Sequence, residues 1–455
     1  MRYRSQWIAY PYFVVAMLLF GLQIAFGLLS AVKYLGPDPL LNILPFDVTK
    51  EIHTNLLIVW VLTGFMGATY YVVPEESRTE IHSVKLAYWQ LGLWTVAGLV
   101  AVVGYLFGWT QGNKLLEQPE PVKIAIVVVM LMFLYNILMT IRKAGRWTTT
   151  EAVLVAGLGL AALLYLPALL QFRNYTVSIF YRWWTIHLWV EGVWEMVQAG
   201  LLAFLLIRLS GADREMMEKW LYVIVGLVFI AGFIGTAHHY YWVGVPYYWL
   251  PIGGFFSALE PLALFGMAIW AYSAMRRSGF AHPNKLAIHW TVGSAVYTAF
   301  GAGLLGLAHT WPAVNRWTHG TLITPMHGHS AFFGAYVMIV LAVITYALPQ
   351  FTARGDDGRE SKLGYWAFWL QTGGMLGMTM SYAAAGIAQT YLERIMGLGY
   401  LETQLKIQVH FLMLIATASI FSIGVICFIW DFFRSVPVRM PVLSEPEEPP
   451  ALPAV

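Results

Sequence analysis

Residues 324–349 read TPMHGHSAFFGAYVMIVLAVITYALP, a run with no charged side chain and two histidines, His327 and His329. A bilayer span needs about 20 predominantly apolar residues, so this stretch is expected to cross a membrane as a helix. Histidine inside such a helix is costly, and by default it marks a functional site. The same ruler applied outward finds twelve spans, near 10–33, 53–74, 86–109, 122–141, 152–172, 178–207, 219–246, 254–275, 286–309, 324–349, 363–391 and 404–433. The expected class is an all-α polytopic membrane protein, with one catalytic bundle over residues 1–440 and a Pro/Glu-rich tail over 441–455 that is expected to be disordered.

Composition agrees with that class. Of 455 residues, 59% are hydrophobic and 11% charged, whereas soluble domains carry about 25% charge. The net charge of +3 and the lack of a compact basic run argue against a nucleic-acid partner. A single cysteine, Cys427, rules out intrachain disulfides, a Cys-based zinc site and a covalently attached c-type haem, so any c-haem belongs to another chain. Met1-Arg2-Tyr3-Arg4 leads into the first span without a small-residue cleavage site, which predicts a retained helix. Of the 27 basic residues, 18 fall on the side of the two termini and 9 on the opposite side. The positive-inside rule then puts both ends in the cytoplasm.

That orientation converts position into depth. His53, His187, His238, His239, His327 and His329 come from four spans yet share one level in the outer part of the membrane. One histidine on an apolar face is usually a hydrogen-bonded core residue. Six at one level point to several metals, because neutral imidazole is the commonest protein metal ligand. Residues two apart on an α-helix point about 200° away from each other, so His327 and His329 address opposite sides of their helix. Two haems flanking that helix fit, and His53 supplies a second axial ligand to one of them. A haem with two axial histidines is saturated and passes electrons, whereas one held by a single histidine keeps an open face. His238 and His239 reach a further metal, faced by His187, Glu191 and Glu195, which lie at i, i+4 and i+8 on one stripe. Imidazoles alone would suit copper, and the Glu191 carboxylate shifts the preference toward iron.

The segment Trp184-Thr185-Ile186-His187-Leu188-Trp189-Val190-Glu191-Gly192, the run Gly235-Thr236-Ala237-His238-His239-Tyr240, and His327-Gly328-His329 closely resemble the large-subunit family of bacterial cytochrome-c-dependent nitric oxide reductases, within the haem–copper oxidase superfamily. The resemblance spans essentially all twelve helices. It implies a multi-pass protein of the bacterial inner membrane that reduces two nitric oxide molecules to nitrous oxide and water. It also implies two haem b groups and one non-haem iron: His53 and His329 on the low-spin haem, His327 on the high-spin haem, and His187, His238, His239 and Glu191 on the iron. Glu195 and Glu260 resemble the family's acids near that iron, and as carboxyls among apolar neighbours they suit proton relay. The implied partner is a small membrane-anchored c-type cytochrome through which a soluble donor delivers electrons, because the fused cytochrome-like extension of quinol-oxidising relatives is missing at this N-terminus. Where the family usually shows an Arg-Glu pair whose acid helps bind calcium, this chain has Asn113-Lys114. The expectation is that calcium is absent or held differently, with Lys114 neutralising haem propionates instead.

Neither Leu262–Tyr272 nor the inner part of the second span offers a charged path, so protons are expected from the outer side. Residues 34–52 and 310–323 are the expected docking loops, and His309 and His319 are candidates to meet propionates. Two other readings stand beside the leading one. One is an oxygen reductase of the same superfamily, which copper at the non-haem site would favour. The other is a proton-coupled transporter, which matching broken helices in two halves would favour and no internal repeat supports.

Overall fold

The computed structural model describes residues 1–36, 38, 40–352, 361–435 and 437–438, so the expected tail at 441–455 lies outside the described residues. Among the described residues, eleven helices have the length and composition of membrane spans. They are α1 (Arg4–Leu35), α2 (Phe46–Ser77), α3 (Val84–Leu106), α4 (Glu120–Ala144), α5 (Thr149–Leu169), α6 (Tyr175–Ser210), α7 (Arg214–His239), α8 (Trp249–Ser278), α9 (Lys285–Thr310), α10 (Ile323–Phe351) and α12 (Gln408–Phe433). The remaining expected span is α11 (Lys362–Thr390), 29 residues long, which is outside that apolar set because glycine, threonine, serine and glutamine dilute it. Those small residues serve packing: a Cβ on Gly374 would lie 2.5 Å from the Phe421 amide nitrogen of α12. Without a hydrophobic drive between helices in lipid, such close backbone approach is what holds neighbours together.

Successive rods run in opposite directions, so the bundle has a terminal end, where the first residues and the end of α12 lie, and an opposite end. The terminal end is tied by ion pairs whose carboxylates are buried. Arg208 of α6 meets Glu75 of α2 at 2.9 Å, and Arg214 of α7 grips Glu76 with both guanidinium nitrogens at 2.8 and 2.9 Å. Gln6 donates to the Glu75 carboxylate at 3.1 Å, and Ser77 bonds Glu151 of α5. Between this layer and the middle of the bundle runs an apolar slab of Leu201, Leu202 and Leu205 on α6 with Val340, Val343 and Ile344 on α10, each fully buried.

Several rods are not uniform. α6, α9 and α10 carry π-helical turns over Trp189–Trp194, Thr298–Leu304 and Phe333–Val337. α8 breaks between its pieces Trp249–Ser257 and Glu260–Ser278. Pro261 accounts for that break, since its ring lacks an N–H and would strike the carbonyl four residues back. Glu260 thereby sits in the first turn of the second piece.

Candidate metal centre

The final turn of α7 tightens into a 3₁₀ helix over Thr236–His239. Gly253 of α8 presses against it so closely that a Cβ there would lie 2.7 Å from the His238 amide nitrogen. This brings His238 Nε2 and His239 Nε2 to 3.0 Å. His187 of α6 faces both rings, with centroids at 5.0 and 5.1 Å. Glu191 lies among the three: one carboxylate oxygen is 3.5 Å from His187 Nδ1, and the other is 3.6 Å from both His238 Nε2 and His239 Nε2. Ligand atoms of all four residues fall within 4.8 Å of one another. Trp183 stacks on His239 at 4.7 Å and fixes that ring.

The donor set fits a metal ion. Adjacent ligands on a tetrahedral ion bonded at about 2.0–2.1 Å stand about 3.3 Å apart, close to the spacings found here. An N–H···N bond between His238 and His239 would explain their contact, but not His187, which is 1% exposed with neither ring nitrogen hydrogen-bonded. Buried polar atoms are rarely left without partners. Three imidazoles with one carboxylate suit iron better than copper.

Glu191 does not sit on the straight stripe expected from its spacing to His187 and Glu195. It lies inside the π turn Trp189–Trp194, and Glu195 is the first residue after that turn. Bonds from other helices hold the turn: Trp189 Nε1 donates to Ala161 O of α5 at 2.8 Å, and Tyr336 of α10 donates to Val190 O at 2.7 Å. The Ser257 hydroxyl donates to the Glu191 carboxylate at 2.7 Å. The sequence reading did not single out Ser257 or Tyr336. Nothing in their local sequence separates them from ordinary packing residues.

His53 and His329 come together across the bundle with ring centroids 6.3 Å apart and planes 24° from parallel. That gap is too wide for stacked rings and suits one atom held between two ring nitrogens. His53 Nδ1 donates to Gln23 O at 2.9 Å and His329 Nδ1 to Pro325 O at 2.8 Å. Each ring is thereby left with Nε2 as its lone-pair nitrogen, the usual arrangement for a metal-binding imidazole, and in His53 the Gln23 side-chain amide lies 3.5 Å from it. Gly27 leaves room for the His53 ring, since a Cβ there would lie 2.6 Å from Cε1. His327 points away from this pair. Its Nδ1 donates to Gly301 O, inside the α9 π turn, at 2.9 Å. His327, His238, Glu191, Glu195, Glu260 and Tyr336 all line one cavity of about 70 Å³. A water needs about 10–15 Å³ of such space, so the cavity admits more than one small molecule. Glu195 and Glu260 are 2% and 1% exposed, and each keeps one carboxyl oxygen without a hydrogen-bond partner.

The remaining expected residues divide. His309 lies near His327, with ring centroids 6.1 Å apart, and its ring nitrogens meet the hydroxyls of Thr324 at 3.2 Å and Thr318 at 3.5 Å. His319 lies farther out beside Trp242. The protein packed around it lowers its pKa, and the charges of Lys114 and Arg394 add to that. Lys114 reaches solvent but is hemmed in by protein: burial lowers its pKa first, and the like charges of Lys50 and Arg182 lower it further. Glu117 and Glu51 lie beside this basic group, and Glu117 accepts from Asn55 at 3.1 Å. His82, His282, His289 and His410 lie apart from the centre, the first three against Tyr135, Tyr346 and Phe368 and the last capping Ile407 O.

Known proteins resemble this chain over most of its length. A nitric oxide reductase subunit of Stutzerimonas stutzeri is 43% identical over 452 residues, covering 95% of each chain. A cytochrome c oxidase subunit 1 homolog of Agrobacterium tumefaciens is 24% identical, covering 81% of this chain and 71% of its own. The solved structure of a haem–copper terminal oxidase dimer superposes with a TM-score of 0.71 at 13% identity, covering 94% of this chain and 83% of that one, and so shares the fold. Residues 7–422 match the cytochrome c and quinol oxidase polypeptide I family. With that match across nearly the whole chain and a full-length nitric oxide reductase relative at 43% identity, this membrane oxidoreductase belongs to the cytochrome c and quinol oxidase polypeptide I family, on its nitric oxide reductase side.

Proposed function

We propose that the chain is the catalytic subunit of a nitric oxide reductase: two nitric oxide molecules, two electrons and two protons yield one nitrous oxide and one water. The observation that carries this reading is the Glu191 carboxylate among His187, His238 and His239, on a cavity that His327 also lines. The residues fit a low-spin haem b on His53 and His329, a high-spin haem b on His327, and a non-haem iron on His187, His238, His239 and Glu191. Bound there, these groups supply electrons singly and two metal faces that polarise a pair of diatomics. The chain itself supplies position and dryness. Holding both substrates in one cavity replaces a bimolecular encounter by a prearranged one. The oxygen-reductase alternative is disfavoured by Glu191, because an added carboxylate draws the site toward iron. Metal analysis together with nitrous oxide detection tests the proposal. Stoichiometric copper, or oxygen consumption without nitrous oxide formation, would overturn it.

Glu195 and Glu260 neighbour each other beside Glu191 and line the same cavity, so a proton can pass among them. Glu195→Gln is expected to keep haem and iron while turnover falls about a hundredfold, within the usual range for a lost general acid. Unchanged turnover would remove the relay role. The apolar slab on α6 and α10 separates these acids from the terminal end, and the basic-residue bias assigns that end to the cytoplasm. Protons therefore enter from the outer side. Sealed vesicles should turn over without building a membrane potential, and a potential generated by turnover would contradict this entry route.

We infer that electrons arrive through a small membrane-anchored c-type cytochrome, as in the family this chain resembles; with no Cys-x-x-Cys-His site in this sequence, a covalent c-haem belongs to another chain. The loops at 34–52 and 310–323 form the docking face. Lys114, Lys50 and Arg182 gather near that face around the Glu117 and Glu51 carboxylates, a setting that keeps net positive charge for haem propionates without calcium. Prolonged treatment with a calcium chelator should leave the haem spectrum unchanged, and tightly held stoichiometric calcium would argue otherwise.

A further inference from the structure

A π turn disturbs the regular ladder of backbone hydrogen bonds, and in a membrane interior a freed carbonyl needs another donor. In the α6 turn that donor is Tyr336, whose hydroxyl reaches Val190 O at 2.7 Å. Val190 immediately precedes Glu191. The Tyr336 ring cannot drift, because it is 3% exposed and held edge-to-face by Trp194, Phe332 and Phe65 at centroid distances of 5.3, 5.3 and 6.2 Å. Its own helix is fixed in turn. Tyr336 lies in the π turn of α10, where a Cβ on Gly334 would stand 2.4 Å from the Tyr297 carbonyl carbon of α9, and Ser294 of α9 donates to Gly334 O at 2.7 Å. The Val190 peptide is thus anchored to a neighbouring pair of interlocked helices as well as to α6.

We propose that Tyr336 is a positioning residue: by clamping the Val190 carbonyl it holds the α6 π turn in register and aims Glu191 at His187, His238 and His239. This rests on the proposed metal centre, where Tyr336 acts through Glu191. Outer partners of metal ligands typically contribute about 10–100-fold in metal affinity.

Tyr336→Phe removes one oxygen and keeps the ring, and the low-spin haem spectrum reports that the fold is intact. In the purified complex, the variant should lose non-haem iron to a ferrous chelator at least about tenfold faster than the parent, with an altered Mössbauer signal from the ⁵⁷Fe-enriched non-haem site. Phe332→Leu removes an edge contact of the same ring but leaves the hydroxyl bond, and should release iron within about twofold of the parent rate. Iron retention and a signal in Tyr336→Phe identical to the parent's would overturn the proposal. So would equally fast release from Phe332→Leu, which would assign the effect to packing. A parent protein without non-haem iron would instead defeat the metal-centre reading, which keeps the two failures distinguishable.

Discussion

Glu191→Gln is expected to strip the purified protein of non-haem iron and to lower nitric oxide turnover by more than about a hundredfold, while both haems stay bound. An outer partner of a ligand already contributes about 10–100-fold, so a direct ligand should exceed that range. The amide matches the carboxylate in size and can still accept from Ser257, which bonds one Glu191 oxygen at 2.7 Å. What it loses is the negative charge among three imidazoles, and with it the hard anionic donor. His53 and His329, the proposed low-spin haem ligands, are held by separate carbonyls on α1 and α10, so the haem spectrum should be untouched. Iron assay, haem spectrum and nitrous oxide yield on one preparation check all three statements. Retained iron with near-normal turnover would show that Glu191 is a bystander. Ser257→Ala should fall between the parent and Glu191→Gln in iron retention.

Gly334→Ala is expected to prevent assembly of a stable haem-loaded protein. A methyl group there would stand 2.4 Å from the Tyr297 carbonyl carbon and 2.5 Å from the Thr298 amide nitrogen, and backbone cannot rotate aside as a side chain can. Overpacking of this kind costs about 1–3 kcal/mol, and a backbone clash puts this case at the upper end. The damage also spreads, because the same contact keys the α9 turn that offers Gly301 O to His327. Gly159→Ala on α5 is the control: no atom outside its own helix lies within 4 Å of the added carbon, so it should be neutral or gain about 0.5–1 kcal/mol. Haem content per protein and the midpoint of thermal loss of the haem spectrum separate the two. Equal behaviour of the variants would mean that α9 and α10 are not keyed as described.

The rods were legible because lipid imposes one dominant rule, a long apolar run, and α11 meets it less fully than the others since Gly374 and its polar neighbours trade hydropathy for close packing. The six histidines were legible because each is expensive where it lies. Their opposite addressing at 327 and 329 followed from helical geometry alone. The sites of Gln23 O, Gly301 O and Pro325 O were hidden, because every residue carries a carbonyl and only the fold selects which ones meet an imidazole. The π turns were hidden for a related reason. Nothing in Trp189–Trp194 distinguishes it from an α segment until Tyr336 and Trp189 are seen holding it from outside.

Each π turn contains one residue more than an ordinary turn, so the halves of α6, α9 and α10 on either side of it are out of phase by about 100°. One half keeps time with the scaffold and the other with the chemistry. Drift among apolar residues on the scaffold side can therefore leave the ligands undisturbed, whereas losing a single codon within the turn would swing one half of the rod away from its neighbours. Along this lineage, conservative exchanges should accumulate freely in those helices, and length changes should be purged.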